Sequence, residues 1–154
     1  MFSVTVVPNS LRVDSRVPLF VAGKVWLTIS HVDYPERDWT DSPLSVIGSM
    51  GAAISDYLTG GFGEMYFFEG PYLVRLTADP YDDSLVIVSG VCDRPRPIAS
   101  SESEETVMTQ VSAPLRDVVR SYEAALLGLA EWATLNGDEE VVSVLDQMNR
   151  FADY

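Results

Sequence analysis

Apolar and polar residues alternate along the first third of the chain, which is the spacing of half-buried β-strands. Near the N-terminus, Phe2, Val4 and Val6 alternate with polar residues. The alternation runs again over residues 24–32, where three aliphatic residues share one face: Val25, Leu27 and Ile29. This pattern predicts two strands whose aliphatic faces turn toward a common core.

Between residues 44 and 58 the apolar side chains recur at helical spacing instead. Asp41 or Ser42 can cap the start of this helix, and Pro43 suits its first position because no hydrogen bond is lost there. The glycine pair at 60–61 predicts its end, since glycine readily adopts the left-handed conformation that follows a helix.

Four further apolar runs predict strands in the middle of the chain. Residues 64–68 and 72–76 flank the turn Glu69-Gly70-Pro71 and form a candidate hairpin. Residues 85–88 and 106–111 are the other two runs.

The last third of the chain has the periodicity of two helices. Ser112 is the predicted cap of the first helix, whose apolar stripe runs over residues 115–133. Asn136-Gly137 ends it, and a second helix is predicted from residue 138 to the end of the chain. The order of strands, helix, strands and helix pair predicts an α+β fold, with a mostly antiparallel sheet and helices packed on one of its faces.

Length and charge narrow the class of protein. The 154 residues suit one domain. Ten Lys and Arg against 23 Asp and Glu give a net charge of −13, which disfavours nucleic acid and anionic membranes as partners. Basic proteins are attracted instead, and their association is accelerated.

The chain has one cysteine, so no intramolecular disulfide is expected. The N-terminus lacks the basic and apolar regions of a secretory signal, and no apolar run approaches the length that crosses a bilayer. We therefore expect a soluble, cytoplasmic protein.

No group of residues forms a recognisable catalytic or metal-binding set. His31 continues the phase of the second strand and is interpreted as structural, and Cys92 as a small apolar residue. One Cys and one His cannot supply the usual four zinc ligands. Asp79, Asp82 and Asp83 lack the calcium-loop pattern. We expect neither enzymatic activity, nor a metal, nor a cofactor.

Acidic and aromatic residues are interleaved in two predicted turns, a makeup common at protein interfaces. Each turn contributes four predicted partner-binding residues: Glu36, Asp38, Trp39 and Asp41 in the first, and Asp79, Tyr81, Asp82 and Asp83 in the second. The alternative is that Trp39 packs beneath the start of the helix and that the acidic residues are only solvated.

Two motifs resemble a known group of proteins. Residues 39–43, Trp-Thr-Asp-Ser-Pro before a helix, and residues 66–72, Tyr-Phe-Phe-Glu-Gly-Pro-Tyr before a strand, resemble small immunity proteins of bacterial polymorphic toxin and contact-dependent inhibition systems. The resemblance covers residues 33–77, with Glu69 where Asp is commoner. It implies a cytoplasmic antidote that binds a cognate toxin domain and covers its active site. A basic toxin would suit the charge.

Two alternatives from other classes stay open. The protein can be a small ligand-binding protein or enzyme whose aromatic cleft is built from Tyr66, Phe68 and Tyr72. It can also be an oligomeric structural or adaptor protein, although nothing in the sequence indicates a homo-oligomer.

Overall fold

The computed structural model describes residues 1–14, 20–95 and 103–154. Within these ranges the chain forms nine strands and three helices. In chain order they are β1 (Phe2–Val6), β2 (Arg12–Val13), β3 (Val21–Ile29), β4 (Val32–Tyr34), β5 (Thr40–Asp41), α1 (Pro43–Gly60), β6 (Phe62–Tyr66), β7 (Tyr72–Ala78), β8 (Leu85–Pro95), β9 (Ser103–Pro114), α2 (Leu115–Leu135) and α3 (Glu139–Asp146).

All the strand pairings are antiparallel, and the predicted α+β class is confirmed. The strands form two sheets rather than the single sheet that was predicted. In the first sheet, β3 pairs with β1, β2, β4 and β5. The second sheet is a meander in the order β6-β7-β8-β9. The two sheets share one core, to which all three helices contribute.

The alternation predicted for β3 is confirmed, because every second residue from Val21 to Ile29 is buried. The predicted inward position of His31 is wrong. Ser30 and His31 have φ values of 51° and 67°, so the chain turns after Ile29 and leaves His31 exposed. The alternation ends with the strand and does not extend into this turn.

Both predicted ends of α1 are confirmed. The helix begins at Pro43 and ends at Gly60, and Gly61, with φ 72°, donates its N–H to the carbonyl of Tyr57. The helix then packs closely on β6. A Cβ atom at Gly63 would collide with the carbonyl oxygen of Ala53, so glycine is what permits this approach.

The C-terminal helices differ from the prediction at two of their ends. Ser112 lies in β9. Helix α2 begins at Leu115, directly after this strand, and its N-cap residue is Pro114. Asp138 caps α3 by accepting a hydrogen bond from the backbone N–H of Val141. The predicted continuation of this helix to the end of the chain is wrong, because α3 ends at Asp146. None of the helices in the described ranges is long and apolar enough to span a lipid bilayer.

Strands β8 and β9 are much longer than the apolar runs predicted. They have 11 and 12 residues and pair from Leu85 with Pro114 to Pro95 with Ser103. Polar residues interrupt both strands, and one of them, Thr109, is buried and donates its hydroxyl to the carbonyl of Ile29. The apolar runs therefore marked only part of each strand. The proline- and serine-rich segment after Pro95 lies outside the described residues.

Candidate functional site

The carboxylate of Asp41 joins the two motifs that carry the family resemblance. Oδ1 accepts hydrogen bonds from the backbone N–H groups of Ser42, at 2.6 Å, and Phe68, at 3.1 Å. Oδ2 accepts from the backbone N–H of Glu69, at 3.1 Å, and from the indole Nε1–H of Trp39, at 2.9 Å. Both carboxylate oxygens are therefore occupied within the protein.

The prediction that Asp41 contacts a partner needs correction. Its residue exposure is 3%, and its oxygens hold the loop before α1 against the β6–β7 turn. Nor does it cap α1, because the helix has no side-chain cap. A buried carboxylate with four donors organises the surface above it and does not present itself to another protein.

An aromatic cluster extends this junction between the sheets. The ring of Trp39 meets Tyr72 edge-on at 5.3 Å between centroids, and Tyr34 meets both Tyr72 and Phe67 at 5.9 and 6.0 Å. The hydroxyl of Tyr34 donates to the carbonyl of Val91 at 2.5 Å. Burial raises the pKa of Tyr34 well above its usual range. Trp39 is thus largely part of the packing, in keeping with the structural alternative.

Glu36 and Asp38 remain on the surface of the same loop. Asp38 forms an ion pair with Lys24, with Nζ and Oδ1 3.4 Å apart. In the described part of the chain, Glu36 makes neither an ion pair nor a side-chain hydrogen bond. Of the four residues predicted in this turn, only these two are well exposed.

The second acidic turn, between β7 and β8, is exposed and ordered by its own hydrogen bonds. We call residues 79–83 the Tyr81 tip. Tyr81 is 96% exposed. Asp79 accepts from the backbone N–H of Tyr81 and from the hydroxyl of Ser112, at 2.9 and 2.8 Å. Asp82 accepts from both the N–H and the hydroxyl of Ser84.

These hydrogen bonds affect the ionisation of the tip. They lower the pKa of Asp79, chiefly through the Tyr81 N–H, and that of Asp82, chiefly through the Ser84 hydroxyl. Burial, and then the charges of Asp83 and Asp79, raise the pKa of Tyr57 on α1. The Tyr81 tip therefore stays anionic at neutral pH and lies beside the end of α1.

The structure does not bring the two predicted turns together. Trp39 packs at Tyr72, the first residue of β7, whereas the Tyr81 tip follows Ala78, the last. Seven strand residues span about 20 Å. The predicted contact residues thus lie in two separate regions of the protein.

The aromatic cleft predicted from Tyr66, Phe68 and Tyr72 does not form. Tyr66 pairs with Leu73 and lies on the outer face of the second sheet, where its hydroxyl donates to Glu64. Tyr72 has the opposite orientation because adjacent strand residues face opposite sides. Phe68 is exposed in the turn. The register of β6 and β7 places Tyr66 and Tyr72 on opposite sides of the sheet, and Phe68 lies in the turn, so the three rings do not line one cleft.

Charged residues cover the outer face of the second sheet. Arg75 on β7 binds Glu64 on β6 and reaches over β8 to Glu105 on β9, with N–O distances of 2.6 and 2.9 Å. The Arg75 guanidinium lowers the pKa of Glu105. The side chain of Asp93, on the same face, has one buried carboxylate oxygen without a hydrogen-bond partner among the described residues.

Tyr72 instead lines a cavity of 520 Å³ at the junction of the two sheets. We call it the junction cavity. Its described lining residues are Val32, Tyr34, Pro35, Tyr72, Cys92, Arg94, Glu104, Thr106 and Met108. The sequence drew attention to Cys92 only as a strand residue, and Glu104 only as a surface acid. Their common location depends on strand register, which no local motif encodes.

No cluster of three potential metal ligands occurs among the residues that the structure describes. No family model, curated protein or solved structure matches the chain.

Proposed function

We propose that the protein binds and neutralises a basic toxin domain, as the resemblance to immunity proteins implies, and that the Tyr81 tip makes the central contact. The observation that carries the proposal is the 96% exposure of Tyr81 among three aspartates. Tyrosine is among the residues that contribute most to binding when an interface buries them.

The tip is suited to binding because its shape exists before the partner arrives. The side chains of Asp79 and Asp82 fix the backbone at Tyr81 and Ser84. A turn that is already ordered loses less conformational entropy when it binds. Tyr81 can then enter a pocket of the partner without folding of the loop.

The charge of the tip supports a basic partner. In the described part of the chain, no ion pair involves Asp79, Asp82 or Asp83. Their field, added to the net charge of −13, favours approach of a positive surface and increases the association rate. A toxin groove that binds nucleic acid would present such a surface.

The experiment uses a catalytically inactive form of the toxin encoded beside this gene, and measures its binding by calorimetry and surface plasmon resonance. We expect a one-to-one complex that weakens as salt increases. Tyr81→Ala should weaken it by about 30-fold or more, as loss of a central aromatic contact does. Asp83→Lys should mainly lower the association rate.

Matched control variants distinguish the tip from the rest of the surface. Phe68→Ala removes an aromatic side chain that is 65% exposed at the other end of β7, and Glu131→Lys reverses an exposed charge on α2. Neither should affect affinity if the tip is the contact. A complex sensitive to Phe68→Ala and insensitive to Tyr81→Ala would reject the tip. Absence of any complex would reject the proposed function.

A further inference from the structure

The junction cavity has the size and composition of a small-molecule site. Ligand sites in proteins are clefts of roughly 300–1,000 Å³ with apolar walls and a few polar groups, and this one measures 520 Å³. Tyr72, Cys92 and Thr106 lie side by side on β7, β8 and β9 and form one wall. Tyr34, which contacts the Tyr72 ring, and Pro35 also line it.

The polar and apolar groups of the cavity are segregated by depth. Tyr34 and Cys92 are 3% and 5% exposed, and lie at the base. Arg94 and Glu104, by contrast, are exposed, and they pair in register across β8 and β9. Paired strand residues face the same side, with Cβ atoms about 5 Å apart. One cation and one anion therefore stand next to each other at the mouth.

These two charges are not joined to each other. The structure has no Arg94–Glu104 ion pair, and in the described residues Glu104 makes no side-chain hydrogen bond. Arg94 lines the cavity together with Cys92 and Tyr72, whose side chains raise the pKa of Arg94. Among the described residues, Glu104 is thus an acceptor without a partner, paired in register with Arg94.

We propose that the junction cavity binds a small zwitterion with a planar apolar body, the chemical class of the free aromatic amino acids. The apolar body lies in the cavity against Tyr72, Pro35 and Met108. Arg94 binds the carboxylate, for which its paired N–H donors are suited, and Glu104 binds the ammonium group.

The pair of charges argues against simpler ligands. An anion would meet the field of Glu104 and of a protein with net charge −13, and a cation would meet Arg94. A neutral apolar ligand would contact the walls and make no use of either charge. A ligand that carries both signs interacts with the two groups together. The proposal does not depend on the Tyr81 tip or on a toxin.

The test compares L-phenylalanine with two analogues that each lack one charge, 3-phenylpropionate and phenethylamine, by calorimetry on the full chain. We expect L-phenylalanine to bind and each analogue to bind roughly 10- to 100-fold more weakly, the effect of losing a hydrogen bond between charged groups. Cys92 is the only thiol, so L-phenylalanine should also slow its reaction with a thiol reagent.

Two variants test which side chain binds which charged group of the ligand. In Arg94→Gln the carboxylate of the ligand has no partner. L-phenylalanine and phenethylamine, which lacks that carboxylate, should therefore bind with the same affinity. In Glu104→Gln, L-phenylalanine and 3-phenylpropionate should bind alike. Arg116→Gln and Glu131→Gln, which are exposed on α2, are the matched controls and should leave the wild-type ranking unchanged.

Two results would overturn the proposal. One is the absence of both heat and Cys92 protection with L-phenylalanine at up to about 10 mM, a concentration above which binding is too weak to be specific. The other is a wild-type protein that binds the three compounds equally. Circular dichroism of each variant shows whether it is folded.

Discussion

The buried carboxylate of Asp41 accepts a hydrogen bond from the backbone N–H of Phe68, at 3.1 Å. This contact spans 27 residues and ties the loop before α1 to the β6–β7 turn. The Trp39–Pro43 and Tyr66–Tyr72 motifs are therefore parts of one junction.

We expect Asp41→Ala to destabilise the protein by roughly 3–5 kcal/mol, because it leaves four buried or half-buried N–H groups without their acceptor. Asp41→Asn retains one carbonyl acceptor and should cost less. Urea denaturation measures both. Glu36→Ala, a change to an exposed acid of the same loop, should change the free energy of unfolding by less than about 0.5 kcal/mol. Equal effects of Asp41→Ala and Glu36→Ala would contradict the role of Asp41.

The close approach of α1 and β6 predicts that Gly63→Ala is destabilising. A methyl group there would meet the backbone carbonyl of Ala53, which cannot move without displacing the helix. We expect a loss of about 2–3 kcal/mol in thermal or urea unfolding. Gly60→Ala is the matched control, since a methyl group at Gly60 has no atom within 4 Å. If Gly63→Ala leaves the free energy of unfolding unchanged, the helix can shift freely.

A pH dependence follows from the Tyr81 tip. Hydrogen bonds lower the pKa of Asp79 and Asp82 below the ordinary value of 3.8. A folded-state pKa below the unfolded one contributes stability that is complete above the unfolded pKa and is lost as the pH falls through the folded pKa. We therefore expect the free energy of unfolding to decrease as the pH is lowered below about 4.

The double substitution Asp79→Asn and Asp82→Asn tests the origin of this acid sensitivity. It removes both carboxyl groups and should give a shallower decrease between about pH 5 and pH 2.5, measured by urea unfolding at each pH. A profile that is parallel to the wild type throughout would assign the acid sensitivity to other carboxylates, among them Asp33 and Glu105, whose pKa values are also lowered.

The junction between the sheets predicts different results for two Tyr→Phe substitutions. Tyr34→Phe removes the donor to the buried carbonyl of Val91 and should cost about 1–2 kcal/mol, the usual effect of leaving a buried polar group unpaired. Tyr66→Phe removes only a hydrogen bond at the surface, to Glu64, and should change stability by less than about 0.5 kcal/mol. If Tyr66→Phe lowered the free energy of unfolding more than Tyr34→Phe in chemical denaturation, water would have to reach the carbonyl of Val91.

Predictions that depend on neighbouring residues were the most accurate. The alternation over β3, the glycine that ends α1 and the start of α3 near Asp138 were all identified, because periodicity, left-handed backbone and helix-start signals are decided within a few residues. The predictions were wrong where a strand or helix ends without a glycine, a capping residue or a break in periodicity. Nothing local shows that the alternation stops before His31 or that α3 stops at Asp146.

The sequence by itself determined the α+β class, most of the elements, the negative charge and the exposed acidic turn around Tyr81. Only the tertiary structure decided that Asp41 is buried, that Tyr66 and Tyr72 face opposite sides, and that Arg94 and Glu104 meet at one cavity. The physical reason is that these relations depend on strand register, including the irregularity between Gly90 and Val91. Register is set by pairing over long separations, which local patterns do not record.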